Sequence, residues 1–250
     1  MLKTKVRMAF RYVGNELAAR FAKTFFPPDM EEEFIQLFTQ CEAYTMTSMA
    51  RMYCLYKATE YVVTDEIPGD IVECGVWRGG SSMLCALTLL RLKETARKIY
   101  LYDTYAGMSE PTEQDVDYVA RKASHTWSRK QREGFNAWAY CPLETVQNNL
   151  FSTGYPPEKL VFVKGKVEDT IPGIVPDRIS LLRLDTDFYA STHHELVHLF
   201  PRLSKNGVII LDDYGHWLGA REAADRYFAE NAIHILLNRI DHDARIGIKA

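Results

Sequence analysis

The chain has 250 residues, of which 47% are hydrophobic and 25% charged, and its formal net charge is −3. This length allows one large domain, with or without an appended arm, and a sizeable core. The composition excludes disordered, collagen-like and coiled-coil chains, and the near-neutral charge argues against a nucleic-acid binder. We find no signal peptide and no apolar run near the roughly 20 residues that span a bilayer. The five cysteines contain no CxxC pair and indicate buried, reduced thiols, so we expect a cytoplasmic protein.

The small net charge conceals a basic N-terminal arm. Residues 1–26 contain six basic residues and one acid, a net charge of +5, and leave −8 for the rest of the chain. Apolar residues recur there every three or four positions, which predicts a helix that ends at Pro27-Pro28. We expect this arm either to pack on a neighbouring subunit of a homo-oligomer or to lie on an anionic membrane surface as a peripheral contact.

The pattern divides the chain near residue 67. Residues 1–66 are predicted to form the arm and a helical cap, with a helix over residues 47–63. From residue 67 onward, short apolar runs alternate with amphipathic stretches, which is typical of an α/β fold with a parallel sheet covered on both faces. The predicted strands are residues 71–75, 99–103, 160–164, 179–185 and 208–212. The predicted helices are residues 81–93, 143–152, 193–203 and 220–229, and residues 233–240 and 245–249 are predicted to form an antiparallel hairpin.

Residues 105–140 interrupt this alternation. A loop of that length in a compact domain is usually either an active-site lid or disordered. Aromatic residues near its end, among them Trp127, Phe135 and Trp138, favour a lid that packs on the domain.

Carboxylates stand at the predicted carboxyl ends of the strands. They are Glu73, Asp103, Asp185, Asp187, Asp212 and Asp213. Ligands of open parallel sheets bind at this edge. One or two such acids could simply cap helices, but six at one edge repel one another unless ligands or cations offset their charge.

The first strand is followed by a glycine-rich turn, Glu73-Cys-Gly75-Val-Trp77-Arg-Gly-Gly-Ser81. Its glycines let the backbone approach a ligand, although it is neither the dinucleotide fingerprint nor a phosphate loop. Asp103 ends the next strand, where a ribose-binding acid would stand. The glycine-rich turn and Asp103 together indicate a nucleoside-containing cofactor without a pyrophosphate.

Asp185 and Asp187 close one strand, and Asp212-Asp213 closes the next. Neighbouring strands lie about 4.8 Å apart, so these carboxylates can converge on one ion, and all-oxygen ligation suits Mg²⁺ or Mn²⁺. Asp187 could instead serve only as the N-cap of the following helix. His216 follows directly and is a candidate substrate contact.

At these residues the sequence resembles the macrocin O-methyltransferase family. The matching stretches are Tyr44-Thr45-Met46, Ile67-Pro-Gly-Asp-Ile-Val-Glu-Cys-Gly-Val-Trp-Arg-Gly-Gly80, Asp103-Thr-Tyr-Ala-Gly-Met108, Gly165-Lys-Val-Glu-Asp-Thr170, Leu182-Arg-Leu-Asp-Thr-Asp-Phe-Tyr189 and Leu211-Asp-Asp-Tyr-Gly-His-Trp217. The resemblance implies a Rossmann-like class I methyltransferase domain over residues 67–250, with a mostly parallel seven-stranded sheet and a C-terminal antiparallel strand. It also implies S-adenosylmethionine and Mg²⁺, and methylation of a hydroxyl on a small-molecule or glycan acceptor, typically a sugar.

The resemblance also implies roles for individual residues. Glu73 and Gly75 would hold the methionine part of the cofactor, and Thr45 and Met46 would close over it. Asp103 would bind the ribose hydroxyls. The remaining predicted cofactor contacts are Trp77, Ser81, Thr104, Lys166 and Val167, the last two bordering the adenine. The implied metal ligands are Asp185, Asp212 and Asp213, with Asp187 as the general base.

Two other functions remain open at this point. Asp185-Thr-Asp187 is also a DxD motif, which metal-dependent glycosyltransferases use to bind a nucleotide sugar, although Asp212-Asp213 has no evident role in such an enzyme. The second alternative is a non-catalytic binding protein on the same fold.

Overall fold

The computed structural model describes residues 26–250, so residues 1–25 of the predicted arm helix lie outside the described residues. The chain divides into two units, Met1–Gln36 and Leu37–Ala250. Across the described residues no helix is both long and apolar enough to cross a membrane. The oligomeric or membrane contact of the arm, and the boundary at residue 67, stay predictions.

Helices and strands alternate along most of the second unit. The helices are α1 (Glu32–Cys41), α2 (Met49–Thr64), α3 (Gly80–Arg91), α4 (Ala123–Lys130), α5 (Leu143–Phe151), α6 (Val167–Thr170), α7 (Tyr189–Leu199) and α8 (Leu218–Glu230). The strands are β1 (Asp70–Cys74), β2 (Ile99–Asp103), β3 (Gln131–Arg132), β4 (Phe135–Asn136), β5 (Leu160–Lys164), β6 (Ile179–Leu184), β7 (Leu203–Leu211), β8 (Asn238–Arg239) and β9 (Arg245–Ile248).

Seven of these strands form one sheet in the order β5-β2-β1-β6-β7-β9-β8. The first five in this order are parallel, and β9 runs antiparallel to β7 and β8. This confirms the predicted α/β fold, including the antiparallel strand near the C-terminus. The chain runs outward from β1 to β2 and β5 and then crosses back to β6 on the other side of β1. The strand order therefore reverses at β1, and the carboxyl ends of β1, β2 and β6 border one crevice.

Three elements differ most from their predicted bounds. β7 begins at Leu203, because Leu203 pairs with Ile179 of β6 and residues 206–207 bond to Lys249 after β9, although residues 204–206 carry no apolar signal. α7 begins at Tyr189, four residues before the predicted start. The first arm of the predicted hairpin shortens to Asn238–Arg239.

Alternate side chains of the central strands face different helices. Val72, Leu182 and Ile209 belong to a buried cluster that includes Leu196 of α7 and Phe228 of α8. Successive residues of a strand point to opposite faces, so their neighbours in sequence face α2 and α3 instead. This places charged residues of β1 and β6 on the α2–α3 face, close to the carboxyl edge of the sheet.

The predicted lid, residues 105–140, contains its own secondary structure. It holds α4 and the two-stranded ribbon β3–β4, neither of which was predicted. Trp138 and Ala123 pack with Phe188 and Trp217 in a small apolar cluster beside the ends of β6 and β7. The packing that the aromatic residues predicted is therefore present, and the opening and closing of a lid stays a prediction.

Gly75, at the turn after β1, has no room for a side chain. Its φ is +83°, and a Cβ there would lie 1.9 Å from the carbonyl oxygen of Asp185. Gly154 has a similar φ of +78°, but nothing lies within 4 Å of its Cβ position. A side chain would meet similar backbone strain at both positions, but only at Gly75 would it also clash with a neighbouring strand end.

We expect Gly75→Ala to destabilise the fold by about 2–5 kcal/mol, from left-handed strain together with the clash. Gly154→Ala should cost about 1–2 kcal/mol, from strain alone. Urea unfolding monitored by circular dichroism measures both. Equal losses in the two variants would contradict the close approach of β1 and β6 at this point.

Candidate functional site

The acids predicted at the strand ends lie around one crevice, at the carboxyl ends of β1, β2, β6 and β7. Glu73 is the fourth residue of β1, and Asp103 ends β2. Asp185 directly follows β6, and Asp212 directly follows β7. The parallel register of these strands brings the four acids to the same edge of the sheet.

Arg183 is a buried cation at the centre of these acids. It pairs in register with Glu73, and its side chain is 4% exposed. One guanidinium nitrogen, Nη1, lies 2.6 Å from Glu73 Oε1 and 2.8 Å from Asp185 Oδ2. The other, Nη2, donates to Asp212 Oδ1 at 2.7 Å and to the Thr47 hydroxyl at 3.0 Å. One arginine thus holds an acid from the end of each of three adjacent strands.

Asp185, Asp187 and Asp213 form a second group beside this arginine. One carboxylate oxygen of each lies within 4.8 Å of the others. Oδ2 of Asp213 is buried and has no hydrogen-bond partner within residues 26–250. Asp187 has a left-handed φ of +68°, a backbone conformation that is costly for a residue other than glycine and is common at functional sites.

The carboxylates of this second group are hard to keep charged together. Burial, and then the charge of Asp185, raises the pKa of Asp187 to about 7. Burial and the charges of Asp187 and Asp212 raise the pKa of Asp213 well above its usual value. Oxygen donors that repel one another, with one oxygen lacking a partner, fit a divalent cation such as Mg²⁺ or Mn²⁺.

The structure does not group the predicted metal ligands as expected. It brings Asp187 beside Asp185 and Asp213, whereas Asp212 turns toward two arginines. Oδ2 of Asp212 lies 2.5 Å from Arg51 Nη1, and its other oxygen bonds Arg183. Asp212 and Asp213 are adjacent in sequence, but Asp212 pairs with the arginines while Asp213 lies beside Asp185 and Asp187. Whether Asp212 binds an ion stays a prediction.

A pocket between the ends of β1, β2 and β5 is lined by five of the ten predicted cofactor residues. Gly75, Asp103, Thr104, Lys166 and Val167 line it. Its lining also includes residues that the sequence did not single out: Gly107, Met108, Ser109, Thr186 and Ser191.

Asp103 is fixed at this pocket by the turn after β1. Its Oδ2 accepts the N–H groups of Val76 and Trp77, at 2.8 and 3.1 Å, and its Oδ1 accepts that of Tyr105 at 2.7 Å. Burial raises the pKa of Asp103, while these backbone hydrogen bonds lower it. A carboxylate with further acceptor capacity, held at a pocket by backbone donors, can bind hydroxyl groups such as those of a ribose.

The other predicted cofactor residues lie around the pocket without lining it. Glu73 is buried and accepts hydrogen bonds from Ser82 and Arg183. Ser81 is buried and turns toward the sulfur of Met52 in α2. The Trp77 ring stacks with the guanidinium of its neighbour Arg78.

Thr45 and Met46, which were predicted to close over the cofactor, lie beside the start of α3. A Cβ on Gly80 would be 2.8 Å from the Cβ of Thr45, so the two backbones are in close contact. Met46 is 66% exposed, which is unusual for a methionine and leaves its side chain available to a ligand.

His216 lies three residues beyond Asp213, and its backbone N–H donates to the Asp213 carbonyl at 2.9 Å. Its ring stacks edge-on with Tyr118 of residues 105–140 and lies beside Asp243, with Nδ1 3.7 Å from Oδ1. The structure therefore places His216 in the turn that follows Asp213, and its role as a substrate contact stays a prediction.

Sequence reasoning missed the two arginines of the site. Arg183 interrupts an otherwise apolar strand, and a charged residue at a buried strand position is a signal that could have identified it. Arg51 gave no such signal, because it lies on the amphipathic helix α2 and its partners Asp241 and Asp243 are about 190 positions away in sequence.

A Rossmann-like sheet with a pocket at the ends of β1 and β2, and carboxylates at the ends of β6 and β7, is the arrangement expected of a class I methyltransferase. Residues 5–246 match the family model described as macrocin-O-methyltransferase (TylF). The chain therefore belongs to the macrocin O-methyltransferase family. It is an S-adenosylmethionine-dependent O-methyltransferase, which sets aside the glycosyltransferase and the non-catalytic binding protein.

Two curated relatives and one solved structure illustrate the match. The chain is 34% identical over 215 residues to 8-demethyl-8-(2,3-dimethoxy-α-L-rhamnosyl)-tetracenomycin-C 4'-O-methyltransferase of Streptomyces olivaceus, covering 86% of this chain and 78% of that protein. It is 32% identical over 201 residues to mycinamicin III 3''-O-methyltransferase of Micromonospora griseorubida, covering 80% and 76%. It superposes on the O-methyltransferase NovP with a TM-score of 0.74 at 28% identity, covering 83% of this chain and 82% of that one.

We expect Arg183→Met to cost about 3–5 kcal/mol of unfolding free energy, because it leaves Glu73, Asp185 and Asp212 buried without their shared counter-charge. Arg226→Met is the matched control, since Arg226 pairs with Glu230 on an exposed helix face and should cost less than about 0.5 kcal/mol. Chemical denaturation measures both. A loss below about 1 kcal/mol for Arg183→Met would show that the acids do not depend on this cation.

Proposed function

We propose that this enzyme transfers the methyl group of S-adenosylmethionine to a sugar hydroxyl of a glycosylated small molecule, and that the transfer depends on Mg²⁺. The observation that carries the proposal is the group of Asp185, Asp187 and Asp213 next to the cofactor pocket. The names of the relatives support the acceptor, since one refers to a rhamnosyl tetracenomycin and another to mycinamicin III.

The pocket beneath Gly75 would take the cofactor, with Asp103 accepting the ribose hydroxyls and Lys166 and Val167 bordering the adenine. Glu73 would support the turn after β1 and would not contact the cofactor directly, because its carboxylate is already bound by Arg183. When bound, S-adenosylmethionine supplies a methyl group on a positively charged sulfur, so the chain's own task is to align an acceptor oxygen with that carbon.

Asp185 and Asp213 would supply oxygen ligands to a divalent cation, and Asp212 is a further candidate ligand if it leaves Arg51. When bound, Mg²⁺ makes a hydroxyl that it contacts more acidic. We propose Asp187 as the general base that accepts the hydroxyl proton, because it faces the other two carboxylates and lies in the strained turn after β6.

The apolar cluster of Phe188, Trp138 and Trp217 adjoins the turn that carries Asp187. Aromatic side chains at this position would exclude water from the acceptor oxygen and the base. Water exclusion strengthens the electrostatic interactions of the carboxylates and prevents hydroxide or water from competing for the methyl group.

The central test is methyl transfer from isotopically labelled S-adenosylmethionine to two glycosides, the rhamnosyl tetracenomycin and mycinamicin III, read by mass spectrometry. The fully methylated product of each glycoside is the control acceptor. We expect label in at least one free glycoside, loss of transfer with EDTA, and recovery with excess Mg²⁺. Full activity in EDTA would refute the metal dependence, and the absence of label in both glycosides would refute the acceptor class.

We expect Asp187→Asn to lower kcat by about 10²–10⁴-fold, the usual contribution of a positioned base. The dissociation constant for S-adenosylmethionine, measured by calorimetry, should change less than about threefold, because Asp187 does not line the cofactor pocket. Asp65→Asn is the matched control, an exposed aspartate near the amino end of β1, and it should leave both quantities unchanged. A kcat of Asp187→Asn near that of the unmodified enzyme would remove Asp187 from the mechanism.

A further inference from the structure

Three segments that are distant in sequence meet at the turn after β7, which follows Asp213. Tyr118 comes from residues 105–140, His216 from the turn after β7, and His242 from the loop between β8 and β9. The ring centroid of Tyr118 lies 5.5 Å from that of His216 and 4.8 Å from that of His242, and both pairs of rings meet edge-on. The sequence analysis found no motif at Tyr118 and none in the segment that carries His242.

Tyr118 is presented to solvent by a rigid turn. Asp117 is buried and accepts the N–H groups of Val119 and Arg121, at 3.0 and 2.8 Å, and this fixes the turn. A backbone bridge between Asp117 and Trp217 ties the turn to the segment that starts at Asp213. Tyr118 nevertheless stays 50% exposed, an unusual position for a large aromatic ring held this firmly.

The loop that carries His242 is fastened to the same segment. The Gly215 N–H donates to the Asp243 carbonyl at 2.6 Å, and a Cβ on Gly215 would lie 2.1 Å from the His242 carbonyl oxygen. The Arg51 guanidinium contacts Asp243 at 2.6 Å and Asp241 at 2.7 Å, and also contacts Asp212. The outer loop and the strand end thus share one cation.

The polar groups of this cluster point to a ligand with hydroxyls. His242 Nδ1 lies 2.6 Å from Asp243 Oδ1, so its other ring nitrogen remains available, and the His242 side chain is 61% exposed. The His216 side chain is 34% exposed. An exposed tyrosine ring offers a surface for the C–H groups of a sugar ring, and two imidazoles offer hydrogen bonds to its hydroxyls.

We propose that Tyr118, His216 and His242 form an acceptor subsite that binds a pyranose ring, and that Tyr118 and His242 determine which glycoside the enzyme accepts. The proposal rests on the proposed function, because it assigns the acceptor side of the same site. Arg51 is a positioning residue in this arrangement, since it holds the loop of His242 against the strand end that carries Asp212 and Asp213.

The test uses the full chain with S-adenosylhomocysteine and Mg²⁺, and methyl α-L-rhamnopyranoside as the probe, with binding measured by saturation-transfer NMR. We expect Tyr118→Ala and His242→Ala to raise the dissociation constant of the probe at least fivefold. Tyr118→Phe should change the dissociation constant of the probe by less than about twofold, because the phenylalanine ring keeps the stacking contact. Tyr140→Ala is the matched control, because Tyr140 is a 39% exposed aromatic of the same segment that packs on Phe135 instead.

Two further measurements separate this inference from the proposed function and from misfolding. Unfolding midpoints and S-adenosylmethionine affinities should match those of the unmodified enzyme in all four variants. In kinetics with the glycoside that the unmodified enzyme methylates, Tyr118→Ala and His242→Ala should raise the acceptor KM at least fivefold and change kcat less than threefold.

Absence of probe binding to the unmodified enzyme, or equal binding by all variants, would overturn the subsite even if the glycosides are methylated. Probe binding that is lost in Tyr118→Ala and His242→Ala would support the subsite even if neither glycoside is methylated, in which case only the proposed reaction fails.

Discussion

Repulsion between carboxylates at the ends of β1, β6 and β7 is the constraint on which the site depends. Glu73, Asp185 and Asp212 all lie within 3 Å of the Arg183 guanidinium. A planar guanidinium has five donors in a fixed arrangement and can serve three carboxylates at once, which the single ammonium of a lysine cannot do as well. Burying such a network adds little stability compared with apolar packing, so its effect is to fix where each carboxylate points.

The ion pairs of Arg183 and Arg51 also determine which carboxylates remain available to a ligand. Arg183 and Arg51 together take both oxygens of Asp212. By contrast, no arginine, lysine or histidine within residues 26–250 forms an ion pair with Asp187 or Asp213. The uncompensated charge is therefore concentrated at those two residues and at the outer side of Asp185. Either protonation of these carboxylates or a bound cation would relieve this repulsion.

Much of the fold could be predicted from the sequence, because the spacing of apolar residues along a segment shows which of its faces is buried. The five parallel strands were predicted from apolar runs, and the acids at their ends followed from strand direction. What the sequence does not encode locally is which partner a side chain at a strand end contacts, and the ion pairs of Asp212 with Arg51 and Arg183 were therefore not predicted. The helix α4 escaped prediction for a related reason, since its residues are mostly polar and only Ala123 is buried.

The two sides of the crevice are built by different physical means. On the cofactor side, strand ends and backbone N–H groups hold Asp103, and these parts of the sheet cannot move without loss of the core. On the side that we propose for the acceptor, Tyr118 of residues 105–140 and the loop after β8 contact the segment that follows Asp213 through aromatic rings and an ion pair. Loops tolerate substitution more readily than paired strands. A fold built in this way can therefore keep one methyl donor fixed while the acceptor changes, because the residues that would recognise a glycoside are not those that hold the sheet together.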